Sequence, residues 1–315
     1  MTQRSKAFFL NGGAGRMLAS IPALEKYEQE SGDKDFVIIC EGGTDMFKGH
    51  PTLDKRAYDP WHKNLFEDVI KHRDAVQPEP YRVWEYYNQQ CSIAQAFDIE
   101  INQQGIRELP LPTLNLAKDE LLVGRQIVNE VKEKLKCEKV IVIQPFGRGV
   151  EVIDNTLIDR TARSIEFKDL KHIFKALQEK GFGIILMSEV KIDLKGEGMK
   201  QEVAMPEGLS LRQWAAAIKY ADHFLGCDSV GQHLSKLYDT QTTVILGSTF
   251  PINVSYPSTP TFSVLDLGQK ERIYDPIRIT IDETVSRHNE NIMSMDDKIR
   301  DYVVGVITGD IEHKE

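Results

Sequence analysis

The sequence predicts an α/β fold in two domains, and three observations carry that reading. Apolar runs of strand length alternate with helix-period patterns along much of the chain. A strand–helix–strand unit with a glycine-rich crossover opens it, and a second alternation of the same kind begins near Lys139. The length of 315 residues suffices for two ordinary domains, and 41% hydrophobic with 28% charged residues is a globular composition rather than a disordered one.

In order, residues 6–10 read as a buried first strand and residues 11–16 as a glycine-rich turn. Residues 17–30 read as a helix whose Met17, Leu18, Ile21, Leu24 and Tyr27 form one apolar face. Residues 35–41 are a second strand. The glycines do not follow Gly-x-Gly-x-x-Gly, because Met17-Leu18 stand where a third glycine is needed. A dinucleotide site is therefore disfavoured, and an oxidoreductase or epimerase with it. Gly13 and Gly15 instead mark a turn where backbone passes close to a ligand or to the opposite domain. Residues 42–87 are irregular and mix polar groups with Trp61, Tyr81, Trp84, Tyr86 and Tyr87, either as an acceptor-binding lip or as loop packing.

Leu109-Pro110-Leu111-Pro112 marks a linker edge, residues 119–135 a helix, and the domain boundary is placed at 136/137. Strands are expected at 139–143, 183–187, 223–226 and 242–247, with helices at 167–179 and 210–220 and from the 228–233 turn to Leu237. Residues 285–307 read as a terminal helix broken near Met293-Ser294, in a segment 283–315 that packs back toward the first domain. The architecture is then two Rossmann-like domains facing across a cleft, 1–136 and 137–282, with ligands outside the carboxyl ends of their strands.

The run Phe224-Leu225-Gly226-Cys227-Asp228-Ser229-Val230-Gly231-Gln232-His233-Leu234 reads as strand, small-residue turn and helix start. Asp228 or Ser229 is expected to cap that helix. Its first-turn amides and dipole suit a phosphate or diphosphate. An ordinary capped turn accounts for the same residues.

The net charge of −9 argues against bulk electrostatic binding of nucleic acid. The four cysteines Cys40, Cys91, Cys137 and Cys227 form no Cys-x-x-Cys pair and read as free thiols of a reducing, cytoplasmic compartment. The apolar patch at 7–10 is too short for a signal-peptide core or a membrane span. Asp33-Lys34-Asp35 spells a carboxylate pair for a metal, but in a charged turn before a strand it reads as a solvated loop.

An ordered set of these pieces resembles glycosyltransferase family 9, the heptosyltransferase-like enzymes of the GT-B fold. Gly15-Arg16-Met17-Leu18-Ala19-Ser20-Ile21-Pro22-Ala23-Leu24 looks like the family's Gly-Asp…Pro-Ala-Leu helix. Residues 37–41, running on to His50-Pro51, are similar to its second strand and loop, and residues 140–147 to the strand and loop that open its donor domain. Residues 209–222 resemble the helix before the donor turn. Asp228-Ser229-Val230-Gly231-Gln232-His233 looks like its Asp-Ser-Gly-x-x-His signature, and residues 244–251 are similar to the strand and loop that follow. Residues 54–129 carry no such likeness.

The resemblance implies an inverting, metal-independent transfer from a nucleotide-diphosphate sugar, a co-substrate rather than a cofactor, to a hydroxyl acceptor. Gly147, Arg148, Glu189, Asp228, Ser229, Gly231, Gln232 and His233 are the donor-side candidates, with amides and a cation aimed at the leaving diphosphate. Arg16 stands where the family places the aspartate thought to be the general base, and an arginine stays protonated. Three readings are open. The base is relocated to Glu41, Asp45, Asp59 or His62, of which Asp59 and His62 are best placed by loop position. Or Arg16, with Gly13 and Gly15, holds a phosphate-bearing acceptor. Or catalysis is lost, leaving a module that binds nucleotide sugars or phosphoglycans. The acceptor is a saccharide, a lipid-linked sugar, or a hydroxylated DNA base. For the last, the basic runs Lys55-Arg56 and Lys71-His72-Arg73 speak in favour and the net charge against.

Overall fold

The computed structural model describes residues 4–147, 149–153, 156–159, 161–192, 194, 198–269, 272, 289 and 291–312. The chain divides into two compact units, Met1–Ala117 and Lys118–Glu315.

The first unit runs β1 (Lys6–Leu10), α1 (Ala14–Glu30), β2 (Val37–Cys40), β3 (Ala57–Tyr58), β4 (Asp74–Val76), α2 (Trp84–Tyr87) and α3 (Ile93–Asn102). Its four strands are all parallel, in the order β3-β2-β1-β4. Every apolar position expected on the first helix is buried. Tyr27 of that helix meets Phe8 and Phe36 edge-on at 4.9 and 5.2 Å between ring centres, which locks α1 to the sheet. Asp33 fastens the same corner, accepting from Ser5 Oγ, Lys6 N, Asp35 N and Tyr27 Oη at 2.5–3.1 Å. Burial raises its carboxyl, but these donors outweigh burial and hold it below its ordinary value. Asp33 is therefore a bonded turn residue rather than a solvated one.

The region 42–87, irregular by sequence, contains β3 and β4, strands of two and three residues and too short to show a period of two. After β1 the chain steps outward through β2 and β3, then returns to place β4 on the other side of β1. The loops after β1 and β4 thus part company at a topological switch point.

The second unit begins with α4 (Lys118–Leu135) and β5 (Lys139–Gln144). An antiparallel hairpin follows, β6 (Val150–Ile153) and β7 (Thr156–Asp159), then α5 (Phe167–Glu179), β8 (Phe182–Leu186), α6 (Leu211–Tyr220) and β9 (His223–Gly226). It ends with α7 (Val230–Leu237), β10 (Thr242–Leu246), α8 (Pro251–Val254), β11 (Phe262–Asp266) and α9 (Asp297–Thr308). The parallel sheet has the order β11-β10-β9-β5-β8, so its switch point lies between β5 and β9.

Two boundaries differ from the sequence reading. The division falls at 117/118 instead of 136/137, because α4 belongs with α6. Gly124 lies on the Ala216 backbone with no room for a Cβ, and buried Arg212 grips Glu120 through two bonds, Nε–Oε1 2.6 Å and Nη2–Oε2 2.9 Å. The terminal helix was expected from 285 and back toward the first domain. Part of that segment lies outside the described residues. The helix observed starts at Asp297 under an Asp296 cap, and its Val303, Val304 and Ile307 join the core of the second unit with Ile173 and Phe174 of α5. Asp169 on α5 binds Met295 N at 3.0 Å and Arg300 Nη1 at 2.8 Å, fixing the same contact. Among the described residues no helix is long and apolar enough to cross a membrane.

Candidate functional site

The loops after β5 and β9 meet at the switch point of the second sheet. Gln144, the last residue of β5, accepts from Gly231 N with its Oε1 at 2.8 Å, so one first-turn amide of α7 is used inside the protein. A Cβ on Gly231 would strike that oxygen and the Phe224 ring, which explains the glycine without a ligand. Ser229 is the N-cap residue by backbone conformation, but its own side chain makes no cap bond to α7. The expected cap is not made. Asp228 is 9% exposed and turned elsewhere: Oδ2 lies 3.3 Å from Arg163 Nη1, and Oδ1 lies 3.5 Å from Gln232 Nε2.

Arg163 was not singled out from the sequence. It stands in a loop held by Asp159, whose carboxylate accepts from Thr161 N, Thr161 Oγ1, Arg163 N and Ser164 N at 2.5–3.1 Å. Burial raises the Asp159 carboxyl, but the bonds from Ser164 and Thr161 and the Arg163 charge bring it below its ordinary value. Ser164 Oγ in turn accepts from Gly147 N at 3.2 Å. The loop after β10 joins the cluster through Ser248 Oγ, which donates to Thr161 O at 2.8 Å. Among the described residues of this unit, five buried polar side-chain atoms have no hydrogen-bond partner, and two of them, Gln232 Oε1 on α7 and Thr249 Oγ1 beside Ser248, belong to these loops.

His233 Nδ1 and Tyr256 Oη share a 3.0 Å hydrogen bond. Burial lowers the imidazole to about 4 against a small opposing effect of Asp228, so the ring is neutral at neutral pH. Glu189 is exposed beyond β8, and no described contact joins it to this cluster. Arg148 lies outside the described residues. Gln144, Asp159, Arg163, Ser164 and Tyr256 were missed. Only Gln144 lay in a turn the sequence marked, and the others belong to no short motif.

The remaining candidates lie in the first unit. Gly13 is the extended N-cap of α1, its carbonyl accepting from Arg16 N and Met17 N at 3.0 and 3.2 Å. Gly15 sits in the first helical turn. Gly12 takes φ +92°, and a Cβ there would meet Arg16 Cδ at 2.6 Å. This turn is glycine-rich because it folds over its own arginine. Arg16 is held by Glu79, Nη2–Oε1 3.2 Å, and its guanidinium lies over the Tyr81 ring at 4.7 Å. Its charge is thus countered within the fold, which weakens the reading of Arg16 as a phosphate clamp.

Of the four proposed bases, Asp59 and His62 share one turn, His62 N donating to Asp59 O at 3.0 Å, and no described contact joins all four side chains. Glu41 is exposed; Asp45 pairs with Lys48 on the surface; Asp59 is exposed, 3.5 Å from Thr44 Oγ1. His62 is exposed, with its ring edge-on to Tyr58 at 5.0 Å. The arginines of the basic runs are structural. Arg56 binds Lys34 O, Phe36 O and Glu28, and Arg73 binds Asp35 O. Among the described residues no group of three or more His, Cys, Asp or Glu side chains is placed to hold a metal ion.

No family model and no curated protein matches the sequence. Solved structures do match in fold. A glycosyl transferase family 9 structure from Veillonella parvula DSM 2008 aligns over 99% of this chain and 99% of its own, with a TM-score of 0.66 and 10% identity. The iron-containing dodecameric glycosyltransferase TibC from enterotoxigenic E. coli H10407 aligns over 83% of this chain at TM-score 0.53 and 12% identity, and this chain spans 62% of TibC. TibC in complex with ADP-D-β-D-heptose aligns similarly, at TM-score 0.52 and 13% identity. The fold is that of these glycosyltransferases, the GT-B class expected from the sequence.

Proposed function

We propose that the chain is a glycosyltransferase of the family 9 kind and takes a nucleotide-diphosphate sugar at the β5/β9 switch point of its second unit. One observation carries this reading: the start of α7, where the Ser229 side chain makes no cap bond, stands beside the Asp228–Arg163 pair in a fold shared with a family 9 structure along the whole chain. Backbone N–H groups and the helix dipole there favour the charge that builds on a departing diphosphate. Arg163, paired with Asp228 at the same rim, adds a cation there, and the diphosphate contact first given to Arg148 stays part of the proposal. Neutral His233, held by Tyr256, is a hydrogen-bonding rather than a charged group. Inversion and independence of a metal are part of the proposal. The acceptor is a hydroxyl compound, and a saccharide fits better than DNA, since the arginines of the basic runs are tied into the fold.

Calorimetric titration with ADP, UDP and GDP tests the donor site. At least one should bind, and Asp228→Ala, which frees Arg163 and the turn, should change its affinity by about tenfold or more. His233→Ala should weaken it. No binding by any of the three, or equal binding by both variants, removes the donor site. Tight binding with no nucleotide release from any sugar donor selects the non-catalytic module instead.

A further inference from the structure

The first unit has a switch point of its own, and one carboxylate stands at it. Asn11 follows β1, Arg16 lies in the first turn of α1, and Glu79 follows β4, so residues 63 and 68 positions apart meet where the two loops diverge. Glu79 Oε1 accepts from Arg16 Nη2 at 3.2 Å, and Oε2 accepts from Asn11 Nδ2 at 3.3 Å. Each carboxylate oxygen can accept about two hydrogen bonds, so each keeps capacity for another donor. The Glu79 side chain keeps 25% of its surface exposed, whereas Arg16 beneath it keeps 11%. The platform is stiff: the guanidinium is stacked on Tyr81, and Gly12 closes over its stem. The Asn11 amide presents nitrogen to the carboxylate, since the opposite orientation would set oxygen against oxygen. Arg16 Nε and Asn11 Oδ1 are buried without partners, so this corner is not arranged for maximal internal bonding.

A partly exposed carboxylate, oriented by two fixed donors and retaining acceptor capacity, has the form of a general base. We infer that Glu79, held by Arg16 and Asn11, takes the proton from the acceptor hydroxyl. This rests on the transferase reading. In the step, the acceptor oxygen forms its bond to the anomeric carbon while its proton passes to Glu79. The bond from that carbon to the diphosphate oxygen breaks, and its electron pair leaves with the nucleoside diphosphate. Arg16 is a positioning residue in this scheme.

The test compares wild type, Glu79→Gln and Arg16→Lys for ADP release from ADP-D-β-D-heptose, with water and a panel of saccharides as acceptors. ADP affinity and thermal stability are measured alongside. Loss of a general base lowers kcat by about 10²–10⁴-fold in Glu79→Gln. ADP affinity should stay within about twofold, and the acid limb of the pH–rate profile should vanish. Arg16→Lys keeps the charge but loses the planar fork, so it should lower kcat less and retain that limb. Turnover by a folded Glu79→Gln within about threefold of wild type overturns the assignment; so does, if Glu79→Gln does not fold, an unchanged kcat in Arg16→Lys. A wild type that binds none of ADP, UDP and GDP defeats the transferase reading itself, a result distinct from either; one that binds UDP or GDP instead is put through the same comparison with the matching nucleotide sugar.

Discussion

His223 and His233 are imidazoles of the second unit that burial moves well below their ordinary value. Burial lowers His223 from 6.5 to about 3, with Lys139 adding to it, and His233 to about 4. Both rings are neutral in the folded chain through the pH range in which they charge once unfolded. As pH falls below about 6.5 the unfolded state binds protons first, so stability is lost between about pH 6.5 and pH 3. His223 Nε2 faces Thr243 Oγ1 at 3.0 Å, and His223→Gln should keep a hydrogen bond there without the titration. Thermal melts from pH 7.5 to 4.5 should show a shallower decline in that variant; parallel declines would remove His223 as a cause. Burial pushes the Cys40 and Cys91 thiols up to about 12, so both stay unreactive in the folded chain.

Among the elements, the seating of α7 and of α4 depends on single residues. At Gly231 an added methyl group has no space against Gln144 and Phe224. Gly231→Ala should cost about 1–3 kcal/mol from overpacking. Its effect on nucleoside diphosphate affinity should follow the displacement of α7, which a crystal structure of the variant would show. The α4–α6 contact rests on the Arg212–Glu120 pair and the bare backbone at Gly124. Removing the arginine takes two charge-assisted hydrogen bonds from a largely buried carboxylate, so Arg212→Ala should cost about 3 kcal/mol. Urea unfolding would detect it. If α4 were an appendage of the first unit, the transition of the second unit would not move. The sequence divided the chain after this helix because a linker is sought where the strand rhythm restarts. The physical division lies before it, since small residues on two helices allow close approach, and no periodicity reveals which helix will be the partner.

At the scale of the whole molecule, the longer strands and helices were legible because burial writes a local period into the sequence. The runs at 6–10, 139–143 and 242–247 are each sheet strands, and the apolar face of α1 is the one expected. The two short strands β3 and β4 carry no period. Without them the switch point of the first sheet could not be located. Of the candidate site, the turn from Asp228 to His233 was legible as strand, small residues and helix start. The expected cap was not, since the Asp228 carboxylate turns to an arginine 65 residues away.

By itself the sequence determined the α/β alternation, the glycine-bearing turns at strand ends, and that Arg16 cannot act as a base. Those properties follow from neighbours a few positions apart and from intrinsic side-chain chemistry. The tertiary structure alone decided that Glu79 meets Arg16, that Arg163 meets Asp228, and that Gln144 consumes the amide of Gly231. In a parallel sheet the loops that share an end are separated in sequence by whole crossovers. Which side chains face one another there depends on strand order, which leaves no mark in local pattern.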